Sequence, residues 1–173
     1  MPLSAPEALG GLSLRVVVSD SGPLRSLGRL DLLGLLPALF ASVQVPEQVL
    51  RECAARPGNV DAGRINAAIQ NGWLSPCGVE AVLDGPLGVG ERAAMACALA
   101  VGASLLTDDL AARRHAETLR LVVFGTLGVL VRAKQAGLLP RVAPLIEQLR
   151  ASGQRFASGV VGQALAAAGE AAS

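Results

Sequence analysis

The sequence predicts an α/β fold, a single domain built on a parallel β-sheet of about five strands flanked by helices. Three observations lead there. Five short apolar segments alternate with helical patterns along the chain. The first of them, Val16-Val17-Val18, is a β-branched run without polar alternation, as in a strand covered on both faces. And 173 residues are enough for one domain to bury its own core.

Taken in order, residues 1–13 read as a flexible leader and 14–173 as the domain, including a helical extension at its C-terminal end. The first strand stops at Asp20, because Gly22 and Pro23 turn the chain immediately afterwards. Leu24, Leu27, Leu30, Leu32 and Leu33 keep helical spacing through Leu35 and Leu36, which predicts one helix ending before Pro37. Val43 and Val45 form a second strand, and Pro46 suits the first turn of the helix PEQVLRECAA. RPGNVDAG reads as a loop, INAAIQN as a short helix, and NGWLSPCGV as a third strand. After a turn-rich stretch, ERAAMACALAVG is a helix that starts on Glu91 and stops on glycine. ASLLTDD is the fourth strand, DLAARRHAETLR a helix, and LVVFGT the fifth strand. GVLVRAKQAG, PRVAPLIEQLRASG and GVVGQALAAAGE supply the closing helical patterns.

The hydrophobic content of 51% raises the question of a membrane segment. The longest uncharged runs, 93–107 and 121–131, fall short of the roughly 20 residues a spanning helix needs. The apolar surplus is assigned to a buried sheet, its helices and a homodimer interface. The first residues lack the basic start and long apolar core of a secretory signal. Cys53, Cys77 and Cys97 are odd in number and lack CxxC spacing, which argues against a disulfide framework and a zinc site and for a cytoplasmic protein. Fifteen basic residues against fourteen acidic ones create no global field of the kind that draws nucleic acid.

The acids are informative by address. Asp20 ends the first strand, Asp108 and Asp109 end the fourth, and Glu91 opens the helix before it. In a parallel sheet, strand ends and helix starts share one edge, so these acids converge. Glu52 joins them only if its helix leans inward. Plainer roles exist for each: Asp20 as a helix cap, one of Asp108 and Asp109 as another, Glu91 as dipole compensation, Glu52 as a solvated face. Of the adjacent pair, Asp109 is the preferred ligand and Asp108 the second. Several carboxylates in one pocket raise one another's pKa unless a cation joins them. An all-oxygen set suits Mg²⁺ or Mn²⁺, and the matching chemistry is phosphodiester hydrolysis.

The segments VVSDSGPL, VPEQVLRE, GVGERAAMACALAVGASLLTDD and RRHAETL together resemble the PIN-domain superfamily of metal-dependent nucleases. With GTLGVLVRAKQAGLLP after the fifth strand, the chain is similar in particular to PIN proteins classed with VapC-type toxins. The resemblance implies a metal bound by Asp20, Glu52, Glu91 and Asp109, with Asp108 and Thr107 beside them. It also implies an RNA substrate and a small antitoxin protein as partner. Arg25 departs from an otherwise apolar family position, and either a phosphate contact or a pairing with a site acid would account for it. With 2% aromatics and no Tyr, base stacking is an improbable way to hold RNA. Phosphate contacts from Arg25, Arg29, Arg113 and Arg114 are the expected alternative, although for the last two an ordinary exposed helix face explains as much. A Rossmann glycine fingerprint is missing after the first strand. The rival that stands is a PIN-like module that binds RNA or a protein with little or no cleavage.

Overall fold

The computed structural model describes residues 15–55, 58–79, 83–157 and 159–170, so the expected leader lies outside the described residues. Among the described residues five strands alternate with helices. β1 (Val16–Ser19) is followed by α1 (Ser21–Arg29) and α2 (Leu35–Leu39); β2 (Ser42–Pro46) by α3 (Glu47–Ala54) and α4 (Val60–Gln70). β3 (Ser75–Cys77) leads to α5 (Val89–Val101), β4 (Ser104–Leu106) to α6 (Leu110–Thr118), and β5 (Val123–Phe124) to α7 (Thr126–Gln135). α8 (Ala143–Ala151) and α9 (Val160–Ala167) complete the chain. The sheet is parallel throughout in the order β3-β2-β1-β4-β5.

β1 lies at the centre, which is why its valines are consecutive: Val17 and Val18 are fully buried, with strands on both sides and helices on both faces. The core continues through Leu24 and Leu27 of α1, Val43 and Val45 of β2, Met95 of α5, Leu105 and Leu106 of β4 and Leu130 of α7. No helix among the described residues is long and apolar enough to cross a membrane.

Three local expectations are corrected. The leucine-rich run after β1 is two helices rather than one. α1 stops at Arg29, Asp31 takes a left-handed φ of 59°, and α2 then carries Pro37 within its own first turn, where a missing N–H costs nothing. α4 begins at Val60 and so takes Val60 to Gly63 out of the expected loop; Asp61 in its first turn suits the helix dipole, and Gly28 lets α1 approach it closely. The third correction concerns the cysteines. Cys77 of β3 and Cys97 of α5 form a disulfide, while Cys53 is free and buried. An odd count rules out complete pairing but not one bridge between an edge strand and the helix beside it.

The C-terminal end is tied in by one carboxylate. Glu170 accepts from Lys134 Nζ at 2.7 Å and from the backbone N–H groups of Val142 and Ala143 at 2.6 and 3.0 Å, so it joins α7 to the start of α8. Those bonds hold its carboxyl well below the usual range, at about 2.

Two stability measurements follow from these anchors. The disulfide closes a separation of 20 residues, so replacing both cysteines by serine is expected to cost about 3 kcal/mol in urea unfolding, with Cys53 left in place. Because the folded pKa of Glu170 is depressed, its contribution is present above about 4.5 and is lost as pH falls towards 2. Glu170→Gln should therefore unfold at a lower temperature than the parent at pH 7, with the difference vanishing on acidification.

Candidate functional site

In an open parallel sheet the ligand crevice lies at the carboxyl ends of the strands where the strand order reverses. Here the chain places β2 on one side of β1 and β4 on the other, so the crevice opens between the ends of β1 and β4. A cleft of about 350 Å³ stands there, lined by Asp20, Glu52, Glu91 and Asp109 with Ser21, Gly22, Gly88 and Gly90. A larger cavity of about 560 Å³ at the opposite edge has Arg15 and Arg120 in its wall and no carboxylate.

Each acid reaches the cleft by a different local device. Asp20 is the N-cap of α1; its Oδ1 accepts from Ser21 N at 2.6 Å and its Oδ2 from Thr107 Oγ1 at 3.1 Å. The same Thr107 hydroxyl accepts from Asp109 N at 3.2 Å, so one buried side chain joins the two strand ends. Asp109 is the N-cap of α6, its Oδ1 accepting from Ala112 N at 2.7 Å. Glu91 is the third residue of α5 and reaches back to Gly88 N at 2.8 Å, the acidic half of a capping box. Glu52 does lean inward: Arg25 Nη2 donates to its carbonyl oxygen at 2.9 Å, fixing α3 against α1, and its carboxylate packs on Gly90.

Cap and cleft roles are thus not alternatives, because a carboxylate that caps with one oxygen still lines the cleft. Burial pushes the Asp20 carboxyl up to about 6, against the pull of Ser21 N–H and the Thr107 hydroxyl and with the help of the charges on Glu91 and Glu52. The donor set is all carboxylate and mutually repelling, which is the chemistry of a hard divalent cation site. No three His, Cys, Asp or Glu donors among the described residues stand close enough to enclose one ion.

Asp108 does not join the other acids. Its Oδ1 accepts from Thr126 N at 2.7 Å and its Oδ2 from Thr126 Oγ1 at 2.5 Å, because the buried start of α7 needs an acceptor there. Burial raises its pKa even so. Of the arginines, none lines the cleft. Arg25 contacts Glu52 through the backbone carbonyl rather than the carboxylate. Arg113 is half-buried with Nη1 3.4 Å from Thr107 O, not on a free helix face, while Arg114 is exposed. Arg29 closes the far end of α1, about 12 Å along the helix from Ser21 by helical rise. Sequence reasoning missed Gly90 as a site residue; the signal was present in Gly88-Val89-Gly90-Glu91, where a glycine stands inside a helix directly before an acid.

Since the folded state holds the Asp20 proton more tightly than the unfolded chain, this group makes stability fall as pH rises from about 4 to 6. Asp20→Asn keeps the bond from Ser21 N, can replace the one from Thr107 only by donating its amide to that hydroxyl, and removes the buried charge. In chelator at pH 7 it should be more stable than the parent by an amount on the order of 1–3 kcal/mol, and the gain should disappear below pH 4.

Comparison with known proteins completes the picture. No curated protein matches the chain significantly in sequence. Among solved structures, a PilT N-terminus domain protein from the hyperthermophilic archaeon Sulfolobus solfataricus P2 is similar, with 16% identity, 73% of this chain and 96% of that chain covered, and a TM-score of 0.49. The pattern of the PIN-domain family DUF3368 matches residues 16–170, nearly the whole chain and every acid of the cleft. The chain therefore belongs to this PIN-domain family and has its nuclease-type fold.

Proposed function

We propose that this protein is a Mg²⁺- or Mn²⁺-dependent endoribonuclease that hydrolyses RNA phosphodiester bonds, acting as the toxin of a toxin–antitoxin pair. One observation carries the nuclease reading: four carboxylates from four separate elements line a single cleft at the reversal point of the sheet. The toxin role and the small antitoxin partner rest on the resemblance in sequence to VapC-type proteins.

When bound, the cation supplies Lewis-acid polarisation of the phosphate and lowers the pKa of a coordinated water. The chain does the rest. Asp20, Glu52, Glu91 and Asp109 are the residues that would hold the ion, with Asp20 as its carboxylate. Thr107 keeps the first and last of these in register. α1, α5 and α6 all begin at the cleft, so their N-termini favour the phosphate and offset the acids. Of the four expected arginines, Arg25 and Arg113 bond to the backbone of Glu52 and Thr107, beside the site acids, and are the ones assigned to the RNA backbone. A second reading, a binding module with feeble cleavage, is favoured by one observation: no three His, Cys, Asp or Glu donors among the described residues stand close enough to enclose one ion.

Cleavage of a labelled single-stranded RNA in Mn²⁺ distinguishes them. The parent should cut, and Asp20→Asn and Asp109→Asn should each lose more than about 100-fold while still folding, the second because asparagine preserves the cap of α6. Equal rates in all three proteins would refute the site assignment. An intact parent that neither binds Mn²⁺ nor cuts would establish the binding module. Mn²⁺-induced stabilisation of the parent should grow as pH rises through about 6, the pKa of Asp20.

A further inference from the structure

We propose that Gly90 is a positioning residue for Glu52: the missing side chain at the second residue of α5 is what allows the Glu52 carboxylate to stand in the cleft. The inference rests on the metal-site reading above. Gly90 is buried and its φ is not in the left-handed region, so the backbone does not call for glycine there. Inside a helix, glycine is in fact worse than alanine. The reason for it lies across the cleft. A Cβ at residue 90 would come within 2.5 Å of Glu52 Oε2 and 2.6 Å of its Cδ.

What a methyl group would meet is the free end of a flexible side chain rather than backbone. Arg25, bonded to the Glu52 carbonyl, opposes a shift of α3, and a side-chain rotation is the cheaper way to relieve the contact. The carboxylate itself must leave, and one of the four acids departs while the fold stays. Gly63 of α4 is the contrast, a helical glycine with nothing near the place of its Cβ.

The test compares the parent with Gly90→Ala, Glu52→Asp, the double variant and Gly63→Ala. In metal-free crystals of Gly90→Ala the Glu52 carboxylate should be displaced from its place beside residue 90. By calorimetry its Mn²⁺ affinity should fall about tenfold or more. Glu52→Asp should weaken Mn²⁺ binding in the parent background yet improve it in the Gly90→Ala background, since the shorter acid clears the methyl group. Gly63→Ala should bind as the parent does. In chelator, Gly90→Ala should unfold at or above the parent temperature; a glycine needed only for packing would lower that temperature and leave Mn²⁺ affinity alone. An unmoved carboxylate, or unchanged Mn²⁺ affinity in a parent that binds, overturns the assignment. A parent that binds no Mn²⁺ overturns the metal reading instead, and the crystallographic position of Glu52 then decides the role of Gly90 by itself.

Discussion

The pairing of β1 with β4 is the constraint from which the site follows. These strands are far apart in sequence, and their parallel register, Val17 with Ser104 through Ser19 with Leu106, brings Asp20 and Thr107 to the same height. Asp20 N–H extends the ladder by one more bond to Leu106 O at 2.9 Å. The first side chain beyond each strand then meets the other in the Thr107–Asp20 hydrogen bond. A slip of one residue would turn the threonine and the acid to opposite faces of the sheet.

The adjacent acids Asp108 and Asp109 show how one dipeptide is divided between two tasks. Successive side chains leave the end of a strand in opposite directions. Asp109 opens a helix at the cleft, whereas Asp108 is driven into the start of α7 and satisfied there by both donors of Thr126. The Asp108 carboxyl is structural, bonded by the N–H and hydroxyl of Thr126 and by Gln154 Nε2. The buried charge of Asp20 is only partly compensated, and the proximity of Glu52 and Glu91 adds repulsion that the protein tolerates in the absence of a cation.

The number and parallel arrangement of the strands were legible from apolar runs and turn residues, because burial on both faces leaves so strong a mark on β1, while their order in the sheet was not. The convergence of Asp20, Glu91 and Asp109 was legible too, since parallel topology alone dictates it. The break between α1 and α2 was not, because leucine spacing continues across Asp31 and only a left-handed backbone interrupts it. The inward lean of α3 was equally hidden. It depends on Arg25 bonding to a carbonyl 27 residues away, a contact with no trace in local pattern. The Cys77–Cys97 bridge escaped because spacing and parity carry no information about which strand is at the edge. And Asp108 was misplaced because two neighbouring acids look alike until the element that needs one of them is known.

The two margins of the sheet have a consequence for how other chains can meet this one. β3 has three residues and its middle one is Pro76, which has no N–H to offer; β5 has only two residues. Neither margin presents the row of free donors and acceptors on which a foreign strand can be added. The sheet is closed to extension, against self-association into fibres as much as against a partner's β-strand. That leaves the helical surfaces and the acidic cleft as the faces open to another chain.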